Sequence, residues 1–160
     1  MKVLLMAIVV ASVACATPSA SEIVVPQDGV HVSGSGQAFV PAAPAGTCMV
    51  DDKGKTLNYF SSVGGPSGLD IVIEGYHGAG SYPMTKATAL PATLVVYTQN
   101  AKWSAEDGTV AVLAVDRDGV IHGTANVPKA SGGVPGRTSS IRGTWICNVQ
   151  PVASPVPANG

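Results

Sequence analysis

Charge is scarce in this chain. Asp, Glu, Lys and Arg make up 12% of its residues and the formal net charge is −1, where a soluble domain usually carries about 25% charged residues. That balance excludes a basic footprint for nucleic acid and a polybasic patch for lipid headgroups. Histidine is rarer still: His31, His77 and His122 stand far apart, whereas a zinc site wants three or four ligands, usually with two at short spacing. No metal and no cofactor is expected. After the opening run, no adequate window repeats apolar residues at i, i+3 and i+4, so helix is limited to one turn at Met84–Leu90, closed by Pro91. The opening apolar run is itself too short for the about 20 residues that cross ~30 Å of hydrocarbon as a helix.

What the chain does have begins at its first residues. Met1-Lys2 supplies a positive charge, Val3 to Val13 (VLLMAIVVASV) is apolar or small throughout, and Ala14-Cys15-Ala16 follows before polarity rises at Thr17. Charged start, short apolar centre and small-residue exit make a secretory signal. Two exits compete. Ala11-Ser12-Val13-Ala14-Cys15 resembles a bacterial lipobox, with small Ala14 before the cysteine and Ser12 where Leu is usual; Cys15 would then carry a lipid. Alternatively Ala14-Cys15-Ala16 is an A-x-A site, cut after Ala16. The expected organisation is a signal peptide at 1–14, anchor cysteine and flexible tether at 15–29, one β-domain at 30–150 and a disordered Pro-rich tail at 151–160. The chain is expected outside the cytoplasm, lipid-anchored to the cell envelope or else secreted or periplasmic. Its membrane contact would run through the N-terminal lipid.

With 19 glycines and 12 prolines, the mature chain reads as short β-branched runs divided by turns. Val30-Val32 and Ala38-Val40 flank Ser33-Gly34-Ser35-Gly36. Cys48-Val50 leads through Asp51-Asp52-Lys53-Gly54 to Leu57-Phe60, a hairpin signature. Leu69-Glu74 and Thr93-Thr98 are further strands. Thr109-Val115 is apolar on both faces and is expected as a central strand covered on each side; Asp116-Arg117-Asp118-Gly119 turns it back into Val120-Ala125. In Ser140-Asn148, Ile141, Gly143, Trp145 and Cys147 share one face and Arg142, Thr144, Ile146 and Asn148 the other. This spacing predicts an all-β fold, a small antiparallel β-sandwich or a partly open barrel. Export would place Cys48 and Cys147 where disulfides persist, so a bridge between them is expected over two buried free thiols.

The succession Ile73-Glu74-Gly75-Tyr76-His77-Gly78-Ala79-Gly80-Ser81-Tyr82, then Trp103-Ser104, Gly108-Thr109-Val110-Ala111-Val112 and Gly143-Thr144-Trp145-Ile146-Cys147 resembles a group of small bacterial secreted lipoproteins with the pattern GYxGxGxY…W…GTVxV…GTWxC. More distantly it is similar to the mycobacterial lipoprotein antigens, compact β-domains with one disulfide on a lipidated N-terminus. The resemblance covers roughly Cys48 to Cys147. It implies a fold and an address at the envelope, and it lends no catalytic residues.

The residues offer little for catalysis. Serines are many, but no G-x-S-x-G elbow occurs. Asp70 and Glu74 share a strand face about 13 Å apart, wider than either glycosidase geometry. Asp116-Asp118-Gly119 is half a calcium loop and reads as a hairpin turn, as does Glu106-Asp107-Gly108. The glycines of GYHGAG miss the dinucleotide fingerprint, because no helix follows. No catalytic residue is assigned and no enzyme is expected. Candidate contacts for an envelope glycan or a protein ligand are Tyr76, His77 and Trp103. Trp103 is flanked by Lys102, Ser104 and Glu106, which places it outside as a stacking surface; the alternative is a plug at one end of the fold.

Overall fold

A computed structural model describes residues 27–51, 53–62, 67–85 and 88–150. The signal, Cys15, the tether before residue 27 and the tail at 151–160 lie outside the described residues. Among those described there is no helix; residues 86–87 of the turn expected at Met84–Leu90 lie outside the described residues, and the Thr88 N–H donates to the Thr85 carbonyl at 3.0 Å.

Alternation builds the strands. In β4 (Thr56–Ser62), Leu57, Tyr59 and Ser61 are buried while Asn58, Phe60 and Ser62 are not. The same period of two governs β5 (Gly68–Glu74), which buries Leu69, Ile71 and Ile73, and β10 (Thr138–Gln150), which buries Ile141, Gly143, Trp145 and Cys147. One buried face per strand needs one interior to share.

That interior is a barrel. A single sheet takes in every strand, rather than two sheets stacked as a sandwich. From β3 (Gly46–Val50) the ring passes through β4, β5, β7 (Thr93–Tyr97), β8 (Lys102–Val115), β9 (Val120–Gly132) and β10. It returns to β3 by a parallel pairing in which Cys147 faces Gly46 and Val149 faces Cys48. The barrel half of the expectation fits, with the ring closed. Three strands lie outside it. β1 (Gly29–Gly34) pairs with the first half of β10, β2 (Ala38–Pro41) pairs with β1, and β6 (Gly80–Pro83) pairs with β8 at residues 109–112. Long strands therefore serve two neighbours on one edge: β10 holds β1 then β3, and β8 holds β7 then β6.

Cys48 and Cys147 are joined by a disulfide across the closing seam, with Cα atoms 5.6 Å apart. They are 99 residues apart in sequence, and the chain-entropy account gives loops of that size an upper stabilisation of about 4–5 kcal/mol. Two residues before Cys147, Trp145 fills the centre at 1% exposure, its ring centroid 5.2 Å from that of Tyr59. Gly123 of β9 is its cross-strand partner. A Cβ at Gly123 would fall 2.1 Å from the indole Cε2, so the tryptophan lies where its neighbour has no side chain.

Two readings of β8 are corrected. Val110 and Val112 are core residues, but Leu113 is 60% and Val115 49% exposed, so this stretch of β8 is not covered on both faces. Glu106-Asp107-Gly108 is no hairpin turn. It lies inside β8, where the ladder with β9 shifts register between Ala105 and Asp107 and again before Thr109.

Gly123→Ala is expected to lower unfolding free energy by about 1–3 kcal/mol through overpacking, read from urea denaturation. Gly80→Ala, whose Cβ would meet the His77 ring at 3.5 Å, serves as the control and stays within about 0.5 kcal/mol. Equal midpoints for the two variants would contradict the packing of Trp145 on Gly123.

Candidate functional site

The residues singled out by sequence divide between two places. Tyr76 and His77 meet at one end of the barrel. After β5 the chain turns through Gly75 and Gly78, at φ +71° and +94°, and enters β6, a strand hidden from sequence reading among its glycines. Tyr82 of β6, quoted in the motif but not among the candidate contacts, completes the cluster. Its ring stacks on Tyr76 with centroids 6.1 Å apart and meets His77 edge-on at 5.1 Å. Tyr82 is buried, Tyr76 half-buried and His77 exposed. Burial, then the neighbouring Tyr82, raises the Tyr76 phenol above its ordinary pKa.

The hydrogen bonds of Tyr82 fix the state of His77. Tyr82 Oη lies 2.6 Å from the Gly78 carbonyl oxygen, which can only accept, so the single phenolic proton points there. Tyr82 Oη also accepts from the His77 backbone N–H at 3.2 Å. His77 Nδ1, 2.9 Å from the same oxygen, must then donate. A neutral His77 therefore carries its proton on Nδ1 and presents Nε2 as an acceptor. Beside a tyrosine ring, such an acceptor suits a hydroxyl donor on a ligand.

Trp103 stands elsewhere and is not a surface aromatic. It is 2% exposed, between Val96 of β7 and Gly132 of β9. Cβ atoms at Gly36 and Gly133 would fall 2.9 and 2.6 Å from its indole. The buried plug, the alternative placement for Trp103, is the one that holds: Lys102 and Ser104 point outward because the residue between them points in. Nearby, Ser35 Oγ donates to the Gly132 carbonyl at 3.0 Å and bonds Ser139 Oγ at 2.8 Å, tying the β1–β2 link to the ends of β9 and β10.

The remaining histidines have separate partners: His31 with Asp28 at 2.8 Å and His122 with Asp116 at 3.0 Å. No group of three or more His, Cys, Asp or Glu close enough to hold a metal ion occurs among the described residues. Asp51 accepts from the backbone N–H groups of Lys55 and Thr56 at 2.6 and 3.1 Å, and these bonds lower its pKa. Asp70 and Glu74 both face outward from β5; burial raises the Asp70 carboxyl, opposed by the charge of Lys102.

Comparison of the chain with protein-family models, curated proteins and solved structures yields no match.

In 15N-resolved NMR at a pH where His77 is neutral, its Nδ1 is expected to carry the proton. Tyr82→Phe is expected to remove that preference and to lower stability by about 1 kcal/mol through the lost Gly78 bond. A dominant Nε2–H form in the unsubstituted protein would contradict the assignment.

Proposed function

We propose that this protein is an exported bacterial lipoprotein of the cell envelope. Cys15 carries the lipid, and the barrel serves as a non-enzymatic structural or binding component. The observation that carries this reading is a secretory start ending in Cys15 on a chain whose barrel seam holds a disulfide. Such a bridge is compatible with an oxidising, extracytoplasmic compartment. Binding, on this reading, falls to the barrel end where Tyr76 and His77 offer a half-buried ring and an outward acceptor to an envelope glycan or a protein surface. The alternative is a secreted binding module without an anchor, favoured by the A-x-A reading of Ala14-Cys15-Ala16.

Intact mass of the native protein, taken from a detergent extract of the envelope and from spent medium, tests this directly. The expected species is membrane-bound, begins at Cys15, carries added acyl mass and is two hydrogens lighter than the reduced chain. A soluble species beginning at Thr17 would overturn the lipid anchor and establish the secreted alternative.

A further inference from the structure

A single cross-strand row runs over the outside of the barrel wall. β2, β1, β10, β9 and β8 lie side by side, and their registers align Phe39, His31, Arg142, Asn126 and Thr109 in that order. Residues opposite each other on one face of a sheet lie within reach of their neighbours. The row faces outward because Val32, Ile141 and Val127, beside it in sequence, belong to the core. Phe39 is 44% exposed and the other four are half-buried.

Arg142 is the unbalanced member of this row. None of the ion pairs among the described residues includes it. Its Nε–H is covered from solvent yet has no hydrogen-bond partner. Covered polar groups are almost always bonded, and a charged donor without an acceptor is among the costliest to leave. The side chains around it supply no anion: His31 and Asn126 flank it across the ladders, and Ser140 and Thr144 share its face along β10. Asp28 is engaged elsewhere, 2.8 Å from His31 Nε2, and that hydrogen bond lowers its pKa. Beside the arginine, the His31 ring packs on Phe39 with centroids 4.6 Å apart. An open hollow of about 400 Å³ lies along this pair, lined by His31, Ser33, Gln37, Ala38 and Phe39 and by no acid. Its size falls within the ~300–1,000 Å³ typical of small-molecule sites.

We propose that this face binds a small carboxylate with a flat apolar body, its carboxylate on the Arg142 guanidinium and its ring in the hollow against His31 and Phe39. Charge chooses the head group: the row holds a cation that no acid balances, so an anion is attracted where an amine is repelled. The guanidinium is a planar fork whose parallel N–H donors match the two oxygens of a carboxylate. One unbalanced positive charge is met by a monoanion, whereas a phosphate dianion would leave negative charge in excess. Phe39 chooses the body, because laying an apolar ring on an exposed one removes both surfaces from water. Two strand spacings of about 4.8 Å separate the backbones of Phe39 and Arg142, so a short linker between ring and carboxylate spans them. The site shares no residue with the Tyr76–His77 cluster, and its occupancy is independent of how the chain is anchored.

The test is a titration of the purified protein with phenylpropanoate, phenylpropanol, phenylpropylammonium and inorganic phosphate, followed by 1H–15N NMR that includes the arginine Nε–H signals. Phenylpropanoate is expected to give saturable shifts at the amides of His31, Phe39 and Asn126 and at the Arg142 Nε–H. It is expected to bind at least about fivefold more tightly than each of the other probes. Arg142→Gln is expected to bring the carboxylate down to the affinity of the alcohol, and Arg142→Lys, which keeps the charge and loses the fork, to give an intermediate value. Phe39→Ser, at an exposed position, is expected to weaken acid and alcohol alike. The Nε–H signal is read in the unsubstituted chain, so the outcome does not depend on the variants folding. Equal binding of carboxylate and alcohol, tighter binding of inorganic phosphate, saturable shifts confined to other strands, or no saturation would each overturn the proposal.

Discussion

The parallel contact between β3 and β10 is the constraint on which the barrel depends. Each other neighbouring pair in the ring is antiparallel, and most are joined by short connections. β3 and β10 come from opposite ends of the domain, and bringing them together closes a loop with a large entropic cost. The Cys48–Cys147 bridge lies on this seam and reduces that cost by limiting the unfolded chain. Trp145 and Tyr59 pack behind it, so covalent closure and the largest buried side chain act on the same junction. Cys48 and Cys147 belong to the hydrophobic core as well as to the bridge.

Where the chain spoke through alternation, its structure was legible. Ile141, Gly143, Trp145 and Cys147 share the buried face of β10 as their spacing requires, and Asp51 to Gly54 joins β3 to β4. What escaped was set by partners distant in sequence. Period-two burial is the same in a sandwich and a barrel, so nothing local distinguishes two stacked sheets from one that closes on itself. Trp103 could be read as a surface aromatic or as a plug because charged neighbours are equally the mark of an exposed segment and the outward half of a strand; the plug holds. Glu106-Asp107-Gly108 has turn composition, and only pairing with β9 makes it a bulge. Tyr82 was quoted within a motif, but its role emerges only when β6 folds back beneath His77.

The candidate site arises from one economy of the fold. β8 and β10 are long enough to hold two partners in succession along one edge. Each change of partner leaves a junction. On β8, β6 takes over from β7 beyond residue 108, and this short strand brings Tyr82 against Tyr76 and His77.

Hydrogen exchange along the closing seam tests the account most directly. With the disulfide intact, amides of residues 46–50 and 147–149 are predicted to be protected on the same scale as the β9–β10 ladder, and reduction is predicted to accelerate the seam first. Exchange of the seam as fast as the Asp116–Gly119 turn, with β9 and β10 still protected, would show an open sheet and contradict the closed barrel.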